Sequence, residues 1–282
     1  MQVITDIPAM QSISEDKRQR GRRIGLVPTM GYLHAGHLSL MRAARERSDY
    51  LVATLFVNPL QFGPNEDFAR YPRDMKRDTE MASEAGVDVL FAPQATAMYP
   101  GGFKTVVEIP DVSSTLEGKF RPTHFRGVTT VVIKLFNCTK PHLAVFGQKD
   151  AQQAFLIRKM VADLNLDIEV FIAPTVRESD GLALSSRNVY LNPDERGRAP
   201  LLYRSLVFAG ECIKSGERKV ETIRTGMSSI LDQSRPTQVD YIAFVRPEDF
   251  NEIEVINSPS VQVLLAVRFG STRLIDNMIF AV

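Results

Sequence analysis

Through the first two thirds of the chain, short apolar runs alternate with stretches whose apolar residues recur every three or four positions. The runs at 24–29, 50–57, 87–91, 143–146 and 168–173 have strand length, whereas 36–47, 75–85, 128–137 and 151–164 carry the helical period. Leu51-Val52-Ala53-Thr54-Leu55-Phe56-Val57 is apolar at nearly every position, which suits a strand covered on both faces. Strand and helix in alternation predict βαβ units, and hence an α/β fold with a mostly parallel sheet flanked by helices. Residues 92–125 break the rhythm with Pro93, Pro100, Gly101, Gly102, Pro110 and Pro122, and residues 106–109 among them read as one small extra strand. After about residue 175 the pattern changes. A loop runs through Ser179-Asp180-Gly181, helices follow from Pro193 and over 220–233, and strands are predicted at 239–245, 261–266 and 274–278. The boundaries expected are a domain over 1–175 and a smaller α+β domain over 176–282.

Composition narrows the class. The chain has 282 residues, 44% of them apolar, enough for a sizeable core. Charged residues make up 24% and nearly cancel, leaving a net charge of +1. That balance argues against a nucleic-acid partner held by a general basic field, while permitting local basic pockets. Cys138 and Cys212 are far apart and form no CxxC pair, so each is expected to be a buried, small apolar residue outside any disulfide. The sequence from Met1 to Asp6 has no basic segment leading an apolar core, and no apolar stretch approaches membrane-spanning length. A cytoplasmic protein without a membrane partner is the expectation.

Chemistry-bearing residues gather where strands end. After the run at 24–27 comes Pro28-Thr29-Met30-Gly31-Tyr32-Leu33-His34-Ala35-Gly36-His37. Two of the four histidines sit here at the start of a predicted helix, whose N-terminus attracts anions. The imidazoles can donate to phosphate oxygens or shuttle protons, or they can be capping residues. Asn58-Pro59-Leu60-Gln61-Phe62 follows the second strand, with two neutral amides suited to a hydroxyl- or carboxylate-bearing substrate; an ordinary turn is the alternative. Residues 117–127 add Lys119, Arg121, His124 and Arg126, either a site or a solvated charged loop. Phe146-Gly147-Gln148-Lys149-Asp150 repeats the geometry of strand, glycine and helix start. Lys149 can meet phosphate there and Asp150 a metal or ribose hydroxyl, or Asp150 can simply cap the helix. Ser185-Ser186-Arg187 presents hydroxyl and guanidinium donors in a loop. The chain has neither a P-loop nor a GxGxxG fingerprint, and the histidines have no partners at zinc-ligand spacing, so no protein metal ligand is assigned.

Taken together, these motifs strongly resemble the pantoate–β-alanine ligase family. The match runs through Pro28–Gly31, His34-x-Gly36-His37, Phe56-Val57-Asn58-Pro59-x-Gln61-Phe62, Arg121-Pro122-x-His124-Phe125-x-Gly127-Val128, Phe146-Gly147-x-Lys149-Asp150-x-Gln152-Gln153 and Asp180-Gly181-Leu182-Ala183-x-Ser185-Ser186-Arg187-Asn188. It covers essentially the whole chain and is dense to about residue 191; beyond that, Arg273-Leu274-Ile275-Asp276-Asn277 is the clearest matching patch. The resemblance implies a Rossmann-like domain of the HxGH nucleotidyltransferase kind, a small C-terminal lid and a homodimer. It implies condensation of pantoate with β-alanine driven by ATP, through a pantoyl adenylate, with Mg²⁺. By resemblance, His34, His37, Lys149 and Arg187 are catalytic. Met30, Gly31, Tyr32, Leu33, Ala35, Gly36, Gly147, Gln148, Asp150, Val176, Leu184, Ser185 and Ser186 join those four in binding ATP. Gln61, Gln153, Asn58 and Arg121 bind pantoate or β-alanine, and Met30 and Phe62 form an apolar wall for pantoate's methyls.

Overall fold

Period-two alternation along each strand decides which residues face which layer. The computed structural model describes residues 1–64, 66 and 68–282. The chain forms two units, Met1–Gln148 with Gln152–Pro174, and Lys149–Ala151 with Thr175–Val282. The first unit begins with β1 (Gln2–Ile4), α1 (Ile7–Gln19), β2 (Ile24–Val27), α2 (Ala35–Arg45) and β3 (Tyr50–Thr54). It continues with α3 (Met75–Glu84), β4 (Val89–Phe91), α4 (Ala95–Met98), α5 (Glu117–Phe120) and α6 (His124–Thr139). β5 (Leu143–Gly147), α7 (Ala151–Asp163) and β6 (Glu169–Ala173) complete the sheet. All pairings in it are parallel, in the order β1-β4-β3-β2-β5-β6.

Ile24, Leu26, Val52, Val89, Phe91, Ala144 and Phe146 point to the face covered by α1, α6 and α7. Val27, Leu51, Ala53, Leu90, Leu143 and Val145 point to the opposite face, under α2 and α3. Each large side chain buried in this way contributes roughly 1.5–3 kcal/mol. From β2 the chain steps outward to β3 and β4, then crosses back to β5 and β6. The winding direction therefore reverses between β2 and β5, the place at which open α/β sheets bind their ligands.

The second unit holds α8 (Pro193–Arg198), α9 (Leu201–Lys214), α10 (Val220–Gln233) and an antiparallel sheet of β7 (Gln238–Val245), β8 (Ser260–Phe269) and β9 (Thr272–Ala281), in the order β7-β8-β9. Leu202, Leu206 and Ile213 of α9, with Ile223, Met227 and Leu231 of α10, cover Phe244, Val263, Leu265 and Val267.

Several elements differ from the expectations. Residues 106–109 form no strand. The hydroxyls of α6 take the bonds a neighbour would have made: Thr130 Oγ1 accepts from Val107 N–H (3.0 Å), and Thr129 Oγ1 donates to Val107 C=O (2.5 Å). The helix expected from Pro193 ends at Arg198 and restarts at Leu201, because Pro200 has no N–H to continue the first helix. β1 and α1 lie outside the expected elements; three residues are too short for a readable alternation. Cys138 is buried as expected, whereas Cys212 is half-buried; both thiols are free, and burial pushes both up. Among the described residues, no helix is long and apolar enough to cross a membrane.

His142, just before β5, accepts a hydrogen bond from Ile24 N–H at Nδ1 (3.0 Å). Burial, then the charges of Arg18 and Arg23, hold its imidazole below the usual histidine range. The unfolded chain therefore binds the proton more readily, so the stability His142 contributes is present above the ordinary histidine pKa and is lost as pH falls below it. Urea unfolding of His142→Gln is expected to show a shallower loss of stability between about pH 6.5 and 5 than the unmodified chain shows.

Candidate active site

The turn after β2 is built around backbone that most residues avoid. Gly31 has φ +88° and Tyr32 φ +52°. Asp78, buried on α3, offsets this strain by accepting from both Tyr32 N–H (2.8 Å) and Leu33 N–H (2.7 Å). No sequence motif marked Asp78. Its one signal is position, an acid sharing the apolar stripe of Ala82 and Ala85. Asp78→Asn places an amide donor against one of those N–H groups. Chemical denaturation should register a loss of about 1–3 kcal/mol.

His34 and His37 cap α2 reciprocally. Gly36 N–H donates to His34 Nδ1 (3.1 Å), and His34 N–H donates to His37 Nδ1 (3.3 Å). A backbone N–H can only donate, so both Nδ1 atoms are acceptors and the proton of each neutral ring sits on Nε2. The ring centroids lie 4.1 Å apart. Capping and phosphate donation, posed as alternatives by the sequence, are thus compatible: one nitrogen caps and the other carries the donor.

After β3, Asn58 is 1% exposed and saturated by protein partners. Its Oδ1 accepts from Tyr99 O–H (2.7 Å) and Leu60 N–H (3.3 Å), and its Nδ2 donates to Gly127 C=O (3.0 Å) and Gln61 Oε1 (3.2 Å). Burial pushes the Tyr99 phenol well above its ordinary range, so it remains a donor. Gln61 Nε2 donates to Met30 Sδ (3.0 Å), a weak acceptor that a substrate oxygen would outcompete. The Gln61 carbonyl accepts from His124 Nδ1 (2.8 Å).

Arg121 and His124 belong to a partly buried relay rather than a solvated loop. Glu66 takes Arg121 Nε (3.1 Å) and Nη2 (2.6 Å), and Arg121 Nη1 meets His124 Nε2 (3.0 Å). Because a guanidinium can only donate, Nε2 accepts and Nδ1 bears the proton given to the Gln61 carbonyl. The Asn58 amide and the Arg121 fork both hold Gln61, Asn58 Nδ2 through the Gln61 side-chain Oε1 (3.2 Å) and Arg121 Nη2 through the Gln61 backbone carbonyl (3.4 Å). Gln153 is half-buried in the first turn of α7. Phe62 packs edge-on against Phe68 and Tyr71, with centroids at 5.4 and 5.9 Å. Gly147 and Gln148 end β5 and are half-buried.

In the second unit, Lys149 Nζ pairs with Asp150 at 3.3 Å and is about one-fifth exposed. Leu184 N–H donates to Val176 C=O (3.0 Å), closing a rung that leads directly into Ser185. Ser185 Oγ accepts from Arg187 N–H (3.2 Å), capping a short helical turn over Ser186–Tyr190. Ser186 and Arg187 are half-buried there. Burial pushes the Asp276 carboxyl up, opposed by the guanidinium of Arg177. Among the described residues, no group of three or more His, Cys, Asp or Glu side chains is placed to hold a metal ion.

Residues 2–279 match the family model for pantoate-beta-alanine ligase. The chain is 52% identical over 282 residues to pantothenate synthetase of Acetivibrio thermocellus, covering 100% of both chains. It is 52% identical over 279 residues to that of Geobacter sulfurreducens, covering 99% of this chain and 98% of the relative. It is similar in structure to pantothenate synthetase of Thermus thermophilus, with TM-score 0.92, 44% identity and 99% of each chain covered. The pantoate-beta-alanine ligase of Francisella tularensis, solved in complex with beta-gamma ATP and beta-alanine, aligns with TM-score 0.79 and 33% identity over 99% of this chain and 97% of that one.

Proposed function

Because the chain belongs to the pantoate–β-alanine ligase family, we propose that its paired imidazoles, its Lys149-Asp150 turn and its Ser-Ser-Arg loop activate pantoate with ATP, for capture by β-alanine. The reaction has two halves. A carboxylate oxygen of pantoate attacks the α-phosphorus of ATP, forming the mixed anhydride while the α–β bridging bond breaks and diphosphate leaves. The β-alanine amine then attacks the acyl carbon, loses a proton, and expels AMP to leave pantothenate. Adenylation is needed because a free carboxylate would have to expel oxide.

The first half calls for alignment and charge neutralisation rather than a protein nucleophile. The observation that carries the assignment is the reciprocal cap, which fixes a donor on Nε2 of both His34 and His37. Both rings give Nε2–H hydrogen bonds to phosphate oxygens, His37 to those of the departing diphosphate. Lys149 and Arg187, with the Ser185 and Ser186 hydroxyls, balance the triphosphate. Mg²⁺ enters with the substrate as MgATP. Asp150, Gly147, Gln148, Val176 and Leu184 hold the adenosine, and the backbone of Met30 to Gly36 lines the phosphates. Gln61 exchanges the Met30 sulfur for pantoate oxygens, Gln153 grips the same acid, and Met30 and Phe62 receive its methyls. Asn58 and Arg121 keep Gln61 in place. The family reading also carries a homodimer working in the cytoplasm, which a solution mass measurement checks for the dimer.

Omitting each substrate in turn tests the reading. AMP should form in step with pantothenate, and only when ATP, pantoate and β-alanine are all present in multiple-turnover conditions. Steady AMP release without β-alanine, or a product that retains the nucleotide, would contradict it.

A further inference from the structure

The Arg273-Leu274-Ile275-Asp276-Asn277 patch has no part in the chemistry assigned so far, yet two consecutive side chains of β9 reach both cationic segments of the second unit. Asp276 and Asn277 are each 3% exposed. Asp276 receives the Arg177 guanidinium through two bonds, Oδ2 from Nη1 (2.6 Å) and Oδ1 from Nη2 (2.9 Å). The same Nη1 donates to Gly181 C=O (3.0 Å), and the guanidinium lies over the Tyr203 ring at 4.4 Å. Arg177 also bridges Ala183 in antiparallel fashion, and Glu178 N–H bonds Leu182 C=O (2.8 Å). The loop 177–184, which delivers Ser185, Ser186 and Arg187, is thereby fastened to Asp276. Gly181 leaves little slack: at φ +94°, a Cβ there would meet the Tyr203 ring at 2.1 Å.

Asn277 does the corresponding job for the other segment. Its Nδ2 donates to the Lys149 carbonyl (3.0 Å), and its Oδ1 accepts from Gln262 Nε2 (2.9 Å), which fixes the amide the right way round. Lys149 and Ser185 are far apart in sequence, and adjacent residues of one strand set the place of both. A bidentate carboxylate and an amide with both ends engaged are stiff anchors.

We propose that Asp276 and Asn277 are positioning residues for ATP activation, holding the Lys149 backbone and the Ser185–Arg187 loop in fixed register on β9. The inference rests on the assignment of those groups to the triphosphate. It makes a prediction that a merely structural role does not: damage should fall on the half-reaction that handles the triphosphate. Aminolysis of pantoyl adenylate supplied at saturating concentration, where its adenosine contacts do not limit the rate, has no diphosphate to neutralise and should be spared.

The test measures two rates for Asn277→Ala and Arg177→Lys at a temperature where circular dichroism shows each to be folded. One is pantoate-dependent exchange of labelled diphosphate into ATP; the other is conversion of added pantoyl adenylate by β-alanine. Exchange per ATP concentration should fall about 10- to 100-fold, as displacement of reacting groups costs, while aminolysis stays close to that of the unmodified protein. Arg177→Lys keeps a cation beside Asp276 and loses only the fork, so it serves if Asn277→Ala fails to fold. Equal loss in both half-reactions, or no loss in either, overturns the inference. If the unmodified protein shows no pantoate-dependent exchange, the parent assignment fails first and on its own evidence.

Discussion

Lys149→Ala should lower turnover by about 10²- to 10³-fold, a loss of roughly 3–4 kcal/mol of transition-state stabilisation, without changing the unfolding midpoint appreciably. The two halves of that expectation have separate causes. The Lys149–Asp150 ion pair is partly solvated, with Asp150 47% exposed, and pairs of that kind add little to stability. The backbone of Lys149 is held by Asn277 through its carbonyl, a bond the substitution leaves in place. On the proposed assignment, what is lost is a point charge facing oxygens on which negative charge builds as diphosphate departs. Steady-state kinetics beside thermal unfolding checks both halves. Near-normal turnover by a folded variant would remove Lys149 from the chemistry. Lys149→Arg is expected to recover only part of the rate, since a planar fork does not reproduce a compact ammonium.

Gly127→Ala should damage the first unit's site severely. A Cβ at Gly127 would sit 2.3 Å from Leu60 O, 2.5 Å from Leu60 C and 2.7 Å from Gln61 N, all main-chain atoms with no flexible end to yield. The backbone carrying Gln61 must move, and the Asn58 bond to the Gly127 carbonyl moves with it. Overpacking of this kind costs about 1–3 kcal/mol of stability. The displaced Gln61 should reduce pantoate use by about 10²-fold while ATP binding measured directly changes far less. Gly197→Ala is the control: nothing lies within 4 Å of a Cβ there, and it should be neutral. If Gly127→Ala lost pantoate and ATP affinity equally, Gln61 would not be the pantoate group.

The middle of the sheet was legible because its central strands are buried on both faces and its helices on one, so the two periods separate cleanly in the sequence. Chemistry at the carboxyl ends of β2, β3 and β5 was legible for the same reason: histidines, amides and a lysine interrupt apolar runs where strands must stop. Support for those groups was not. Asp78 caps the turn at Tyr32 and Leu33 from 46 and 45 residues away, and Glu66 holds Arg121 from 55 residues away. No local pattern encodes such bonds, because the partner is chosen by tertiary packing. Asn58 and Arg121 are readable as donors from residue type alone; that both also hold Gln61 is visible only in their partners. The stretch 106–109 fails in the opposite sense. It has strand composition, but threonine hydroxyls of α6 satisfy its backbone. The motif at 273–277 was visible as a pattern and had no reading until β9 tied it to Lys149 and Arg177.

The central claim is that ATP activates the carboxylate of pantoate at its α-phosphorus, and isotope transfer tests it most directly. Pantoate labelled with oxygen-18 in its carboxylate, turned over with ATP and β-alanine, should yield AMP carrying one labelled oxygen. Unlabelled AMP, or label found in inorganic phosphate, would contradict the account.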